Sequence, residues 1–217
     1  MLRRVFVLIL FLLPQFLCAQ LGVKPGLRDS VAFKGKYKGA VQHLYRWNDK
    51  LGDNWLVLTV TDDIPSKAKT SGFDEDCDGE CTDRELYAYH FLGMDSLTWK
   101  VQDFERACNW DNLVEYRPKS IKITDLDSNG VAEVWMMYSM TCTSDVSPRT
   151  LKLIMYQGKS KAAIRGTSQS AKNMIDKEYG GKYSPDKQFL SLPLKLRQFG
   201  EKLWKQNLYD YEGSSFR

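Results

Sequence analysis

Apolar and polar positions alternate with a period of two over most of this chain, and change to a helical period only near its end. Residues 40–47 (AVQHLYRW), 55–60 (WLVLTV), 86–92 (LYAYHFL) and 97–104 (LTWKVQDF) read as strands rich in β-branched and aromatic residues. Residues 120–124 (SIKIT), 131–140 (VAEVWMMYSM), 151–156 (LKLIMY) and 162–166 continue the pattern. Turn-forming runs join them in pairs: NDKLGDN, GMDS, DLDSNG and a glycine at 158. Four antiparallel hairpins are therefore predicted. Residues 61–85 form a long acidic, polar loop, 141–149 a shorter one, and 167–190 are irregular with a short helix near 171–179. Segments 40–104 and 119–166 repeat one order: hairpin, polar loop, hairpin. Each reads as a four-stranded, propeller-blade-like unit. One such unit cannot bury its apolar face alone, so the two must pack together or a helix must cover them. The expected fold is mainly β.

Residues 193–209 break the alternation. Leu196, Phe199, Leu203 and Trp204 share one face of an amphipathic helix, with Ser191 as its expected N-cap and Pro193 in its first turn. This face is expected to pack on the sheet, with partner binding through the helix as the rival reading. Lys202 and Lys205 suit its negative C-terminal end. Gly200 costs the helix about 1 kcal/mol relative to alanine, so docking must hold it.

The first residues, MLRRVFVLILFLLPQFLCAQ, place two arginines before an apolar run that is too short to span a bilayer and is broken by proline. They read as a secretory signal peptide over 1–19, followed by a flexible leader over 20–36 and one β-rich domain over 37–217. No later segment is apolar enough to span. The expected location is the periplasm or the cell surface of a Gram-negative bacterium. Composition agrees with a folded domain: 43% apolar and 27% charged residues exclude disordered, collagenous and polytopic membrane classes. The net charge of +4 is too mild to argue for a nucleic-acid partner, and oligomeric state is not legible. Only His43 and His90 are available for histidine chemistry, and both lie in predicted strands.

After signal cleavage four cysteines remain, Cys77, Cys81, Cys108 and Cys142. In an oxidising compartment they suggest two disulfides. Three pairings exist; Cys77–Cys81 with Cys108–Cys142 is favoured because the first two are close in one loop and the others flank one hairpin. The longer bridge would contribute about 3–4 kcal/mol on the chain-entropy model. A four-thiolate zinc site lacks paired CxxC knuckles, and unpaired buried thiols remain the other alternative.

Asp125-Leu126-Asp127-Ser128-Asn129-Gly130-Val131-Ala132-Glu133 carries the clearest chemical signal. Oxygen-bearing side chains at alternate positions, bent round a glycine, converge as a cage for a hard cation such as Ca²⁺. The candidate ligands are Asp125, Asp127, Asn129, the Val131 carbonyl and Glu133. A helix–loop–helix hand does not fit, because Met136 stands where its bidentate glutamate belongs and strands flank the loop. The competing reading is a plain hairpin turn, for which Asn129-Gly130 is itself a signal. A second, weaker loop matches the twelve-residue pattern with Asp74, Asp76, Asp78, Gly79 and Glu85, but without flanking helices it also reads as a solvated acidic loop. No nucleophile elbow, phosphate-cradling glycine loop or zincin helix is present. If the chain were a carboxylate-based glycan hydrolase or lyase, Glu133 would need Glu115 or Asp103 across a cleft, about 5–9.5 Å away.

The 120–140 hairpin resembles the calcium loops of FG-GAP-type propeller blades. More broadly, ITDLDSNGVAEVWMMY, DVSP, LKLIMYQG, AIRG, RELYAYHF and the ending FGEKLWKQN are similar to a family of small exported bacterial proteins described as surface polysaccharide biosynthesis proteins. The resemblance spans residues 36–208. It implies a role in making or displaying cell-surface glycans such as lipopolysaccharide or capsule, with a glycan or an envelope protein as partner. It brings no catalytic residues, and it favours an accessory or binding role over transferase chemistry. A purely structural interaction module is the further alternative.

Overall fold

The computed structural model describes residues 21–25, 33–67, 81–169 and 179–210. The signal peptide over 1–19, all of the short helix near 171–179 but its last residue, Cys77 and the aspartates of the second acidic loop lie outside the described residues.

Two antiparallel sheets make the body of the protein, and neither closes on itself. The first runs β1 (Lys24–Pro25), β2 (Ala40–Asp49), β3 (Gly52–Val60), β5 (Thr82–Leu92) and β6 (Ser96–Cys108). Short β4 (Ile64–Pro65) continues along β5 beyond the end of β3. The second sheet runs β12 (Tyr183–Pro185), β11 (Ser160–Thr167), β10 (Thr150–Gln157) and β9 (Glu133–Thr143). On its far side β9 pairs with β7 (Asp111–Tyr116) at one end and β8 (Lys122–Thr124) at the other. The mainly-β expectation holds.

The sheets pack face to face. Trp47, Leu56, Leu58, Leu86, Ala88 and Trp99 of the first meet Val134, Met136, Tyr138, Ile154 and Tyr156 of the second in one buried cluster. The central strands are buried on both faces, which is why β3 and β9 read as nearly continuous apolar runs rather than clean alternations. On the second sheet's outer face, Trp135, Met137, Leu153 and Met155 pack under two helices, α1 (Lys187–Ser191) and α2 (Leu194–Gln206). The buried residues of α2 are Leu196, Gly200, Leu203 and Trp204, so its apolar face is taken up by the sheet. Gly200 lies tight against both α1 and the sheet. A Cβ there would stand 2.7 Å from the Phe189 ring and 2.9 Å from the Trp135 ring. Ser191 does not cap α2. It closes α1, where its hydroxyl donates to the Gln188 carbonyl, and Pro193 occupies the N-cap position of α2. Asp186 caps α1 by accepting from the Phe189 amide.

The outer face of the first sheet is covered from the N-terminal side. Phe33 is 1% exposed and packs against Trp55 and Phe91, with ring centroids 5.2 and 5.1 Å away. Lys24–Pro25 pairs with β2 at Arg46 and Tyr45. Residues read as a flexible leader are therefore docked at these two places. A Cys108–Cys142 disulfide ties the end of β6 to β9, with an S–S distance of 2.12 Å. Cys81 is buried and disulfide-bonded; its expected partner Cys77 lies outside the described residues.

Candidate metal centre

The acidic loop is the connection between β8 and β9. Thr124 and Glu133 face each other as the last register pair of that hairpin, so residues 125–132 must turn back within a short span. Side chains close the turn. Gly130 N donates to Asp125 Oδ2 at 3.1 Å, Asn129 N to Asp127 Oδ1 at 3.2 Å, and Val131 N to Asn129 Oδ1 at 2.7 Å. Ser128 and Gly130 adopt left-handed backbone, with φ of 58° and 83°. Aspartate and asparagine favour such turns because their oxygens accept from amides two residues on.

Three carboxylates converge inside this turn. One oxygen from each of Asp125, Asp127 and Glu133 lies within 4.8 Å of the others. Ligand oxygens about 2.3–2.6 Å from a shared Ca²⁺ would be separated by distances of that order. Glu133 is fully buried. Burial pushes its carboxyl above the usual range, as does the Asp127 charge, while bonds from the Leu126 amide, Thr124 Oγ1 and the Asp127 amide oppose the rise. Asp125 Oδ1 is shielded from solvent and accepts no hydrogen bond. Such an atom is costly to bury without a partner.

Gln157, which the sequence reading did not select, completes the centre. It ends β10 directly opposite Glu133. Its Nε2 sits 3.1 Å from Asp127 Oδ2, 3.3 Å from the Val131 carbonyl and 3.4 Å from Glu133 Oε1. A partial positive charge thus stands among three of the oxygens expected to hold a cation. Asn129 does not join them. Its Oδ1 is taken by the Val131 amide and its Nδ2 donates to Asp127 Oδ2 at 2.9 Å.

The loop is clamped from three elements. Lys50 N, in the β2–β3 turn, donates to the Gly130 carbonyl at 2.7 Å, and Ala132 N donates to Asp49 Oδ2 at 3.0 Å. Lys195 of α2 donates to the Leu126 carbonyl at 2.6 Å. Asp49 also accepts from Trp47 Nε1, Leu51 N and Asn54 Nδ2. Burial alone would raise its carboxyl, but these donors and the Ala132 amide hold it below its ordinary value.

Behind Asp49 lies His90, in a column of four stacked rings. Trp47, His90, Trp99 and Tyr156 follow at centroid spacings of 5.4, 5.0 and 4.1 Å. Asn54 Nδ2 is committed to Asp49 and the Gly52 carbonyl, so its Oδ1 faces His90 Nε2 at 3.1 Å, while His90 Nδ1 meets Thr98 Oγ1. Burial lowers the His90 pKa to about 4, with the Asp49 charge opposing only in part. His43 stacks on Tyr45 at 6.2 Å within β2. Both histidines serve the packing of the sheets.

The remaining acidic candidates lie apart from this centre. Glu85, expected to end the second acidic loop, is buried on β5. It is held by Lys38, by Tyr87 and, at 2.7 Å, by Arg106 Nη2. Asp74, Asp76 and Asp78 lie outside the described residues. Glu115 pairs in register with Ser139, six positions along β9 from Glu133. At strand rise that is about 20 Å, well beyond the reach of a glycosidase carboxyl pair. Glu115 instead meets Arg149 Nη1 at 2.6 Å. Asp103 accepts from Tyr138 Oη at 2.9 Å and pairs with Lys152 between the sheets, whereas Glu133 faces the opposite side of β9. The structure brings neither pair together. No family model, curated protein or solved structure matches the chain.

Proposed function

We propose that the protein is an exported, non-catalytic accessory or binding protein of cell-surface polysaccharide assembly, stabilised by Ca²⁺ in the 125–133 loop. The observation that carries the metal reading is the convergence of Asp125, Asp127 and Glu133, with one Asp125 oxygen shielded from solvent and without a donor. The donor set fits the ion. It is made of carboxylates and one carbonyl, with no thiol or imidazole, which suits a hard cation and not zinc or copper. Asp125, Asp127, Glu133 and the Val131 carbonyl would hold it, and a half-turn of the Gln157 amide would add a further oxygen. Bound Ca²⁺ would supply charge that relieves the crowding of three carboxylates. Asn129 would shape the turn.

The glycan role rests on the resemblance of residues 36–208 to exported polysaccharide-biosynthesis proteins. A disulfide supports a reading of export. Each sheet, a run of antiparallel neighbours with an acidic turn, is read here as a propeller-blade-like unit.

Thermal melting of chelator-treated protein, with and without Ca²⁺, tests the metal. At a hundredfold excess over Kd a native-state ligand adds about 2.7 kcal/mol. For a chain of this size that raises Tm by roughly 5–10 °C. The Asp125→Asn/Asp127→Asn variant should show no such rise. An unchanged Tm for the native sequence at millimolar Ca²⁺ refutes the metal reading.

A further inference from the structure

A cavity of about 300 Å³ lies between the two sheets, walled by β2, β3 and β5 on one side and β7 on the other. Among the described residues β7 pairs only with β9, and beyond β2 stand only the two residues of β1, which meet it at Tyr45 and Arg46. The cavity therefore sits beside the uncovered edges of both sheets. A bulge shapes its wall. Val41 pairs with Thr59 and His43 with Leu58, so Gln42 is an extra residue in β2. Bulges re-aim side chains, and Gln42 and His43 both line the cavity. Val60, Val114 and the Tyr116 ring make its apolar surface. The Tyr116 hydroxyl is committed to the Tyr87 carbonyl at 2.7 Å, so that residue offers only its ring.

Arg84 supplies the one arginine or lysine of the lining. Its Nη1 donates to the Asn112 carbonyl at 2.9 Å, which tethers the guanidinium across the gap to β7. Asp63 Oδ1 stands 3.8 Å from Arg84, too far for a hydrogen bond, and half of the Asp63 side chain is in solvent. Glu115 also lines the cavity, but its carboxylate is taken by Arg149 Nη1 at 2.6 Å and reaches Ser139 Oγ at 3.4 Å. The other edge of the guanidinium, Nε with Nη2, has no partner among the described residues, and Nε is shut off from solvent. A buried donor of this kind is costly unless an acceptor fills the place. That edge is the one by which arginine grips a carboxylate with two parallel bonds. Arg46 does so elsewhere in this molecule, giving Nε to Asp53 Oδ1 at 2.8 Å and Nη2 to Asp53 Oδ2 at 3.0 Å.

We propose that this cavity binds a small hydroxylated monocarboxylate, a hydroxy acid or sugar acid, with its carboxylate on the Nε–Nη2 edge of Arg84. Its carbon skeleton would lie on Val60, Val114 and the Tyr116 ring, and the Gln42 amide would meet its hydroxyls. The volume is at the lower end for small-molecule sites, which suits a molecule of this size. Asp63 offsets part of the Arg84 charge, so one negative charge is matched better than the two of a phosphate dianion. The site is separate from the metal loop and independent of the glycan reading.

The test is a titration of the isotope-labelled full chain without added Ca²⁺, followed by NMR of the backbone amides and of the Arg84 Nε–H signal. The probes are D-glucuronate, L-lactate, glucose and inorganic phosphate. One or both acids should shift the Arg84 Nε–H together with the amides of Gln42, His43 and Val114, and glucose should not. Arg84→Lys keeps the charge but loses the fork, and should bind about tenfold or more weakly. Should that variant fail to fold, Gln42→Glu, changed at an exposed position, should weaken binding about fivefold at low salt by like-charge repulsion. No response to either acid would overturn the proposal, as would shifts confined to other parts of the molecule. Equal shifts with glucose would show that the carboxylate is not read, and equal shifts with phosphate that the site is a simple anion site; either overturns it. So would full binding by the Arg84→Lys or Gln42→Glu variant.

Discussion

The carboxylate of Asp49 accepts the backbone amide of Ala132 at 3.0 Å, across 83 positions of sequence. This bond joins the β2–β3 turn of one sheet to the acidic loop of the other. The same carboxylate gathers Trp47 Nε1, Leu51 N and Asn54 Nδ2. One side chain thus orders the first sheet's turn and sets the path of the chain into Glu133.

Asp49→Ala should accordingly be costly. It leaves several buried or half-buried donors without an acceptor, an effect of about 2–4 kcal/mol. Urea denaturation should show the loss, and hydrogen exchange should show faster opening at Ala132 than at amides in the middle of β10. Uniform loss of protection would mean that Asp49 supports the fold without holding the loop in particular.

His90 predicts a pH dependence. Its pKa is lowered by burial to about 4, against an unfolded value near 6.5. The folded state resists the proton that the unfolded state accepts. Stability from this group is therefore complete above about pH 6.5 and falls as pH drops towards 4, by up to about 3 kcal/mol. His90→Gln should be less stable at neutral pH but lack this slope. Equal slopes in the two proteins between pH 6.5 and 4 would refute the assignment.

Glu85 acts in a lower window. Burial would raise its carboxyl, yet Lys38, Tyr87 and Arg106 hold it at about 2. Its contribution is present above about pH 4.5 and is lost as pH falls through 2. Because half of the Lys38 side chain is in solvent, the magnitude is discounted to about 1–3 kcal/mol. Glu85→Gln should remove it, as measured by acid titration of the unfolding free energy. Retention of the full acid slope would show that other carboxylates carry it.

Gly200→Ala sets helix propensity against packing. Alanine gains about 1 kcal/mol within an isolated helix. Here the added methyl would press on the Phe189 and Trp135 rings at 2.7 and 2.9 Å, so overpacking of about 1–3 kcal/mol should outweigh that gain. Net destabilisation is expected in chemical denaturation, with partial recovery in Gly200→Ala/Phe189→Leu. A stabilised single variant would show that α2 can shift away from the sheet.

Some parts of the molecule were legible before the structure and others were not, for identifiable reasons. Strands such as β3 and β10 are dense in β-branched and aromatic residues, and their type follows from local pattern. β7 has no clear local signal because Asn112, Val114 and Tyr116 make a short inward face with a polar member, whose Nδ2 is bonded only by Thr82 on the other sheet. β12 and α1 are three and five residues long, too short for a periodic signal. In the acidic loop, spacing brought Asp125, Asp127 and Glu133 to one point but placed Asn129 there as well. Its oxygen serves the nearest amide, as asparagine in tight turns does. Gln157 carried no signal, since its place comes from the pairing of β9 with β10.

What the chain determines by itself is what neighbouring residues settle among themselves: the period-two strands, the turn that bends 125–133 round Gly130, and the amphipathic face of α2. These depend on backbone geometry and on side chains a few positions apart. The tertiary structure alone decided that Asp49 would clamp Ala132, that Gln157 would stand among the carboxylates, and that Glu85 would turn from its acidic neighbours to Lys38 and Arg106. Each of those contacts exists only once strands distant in sequence have paired and packed. The gain from a buried charge or hydrogen bond then depends on which partner the fold delivers, and local pattern carries no record of that.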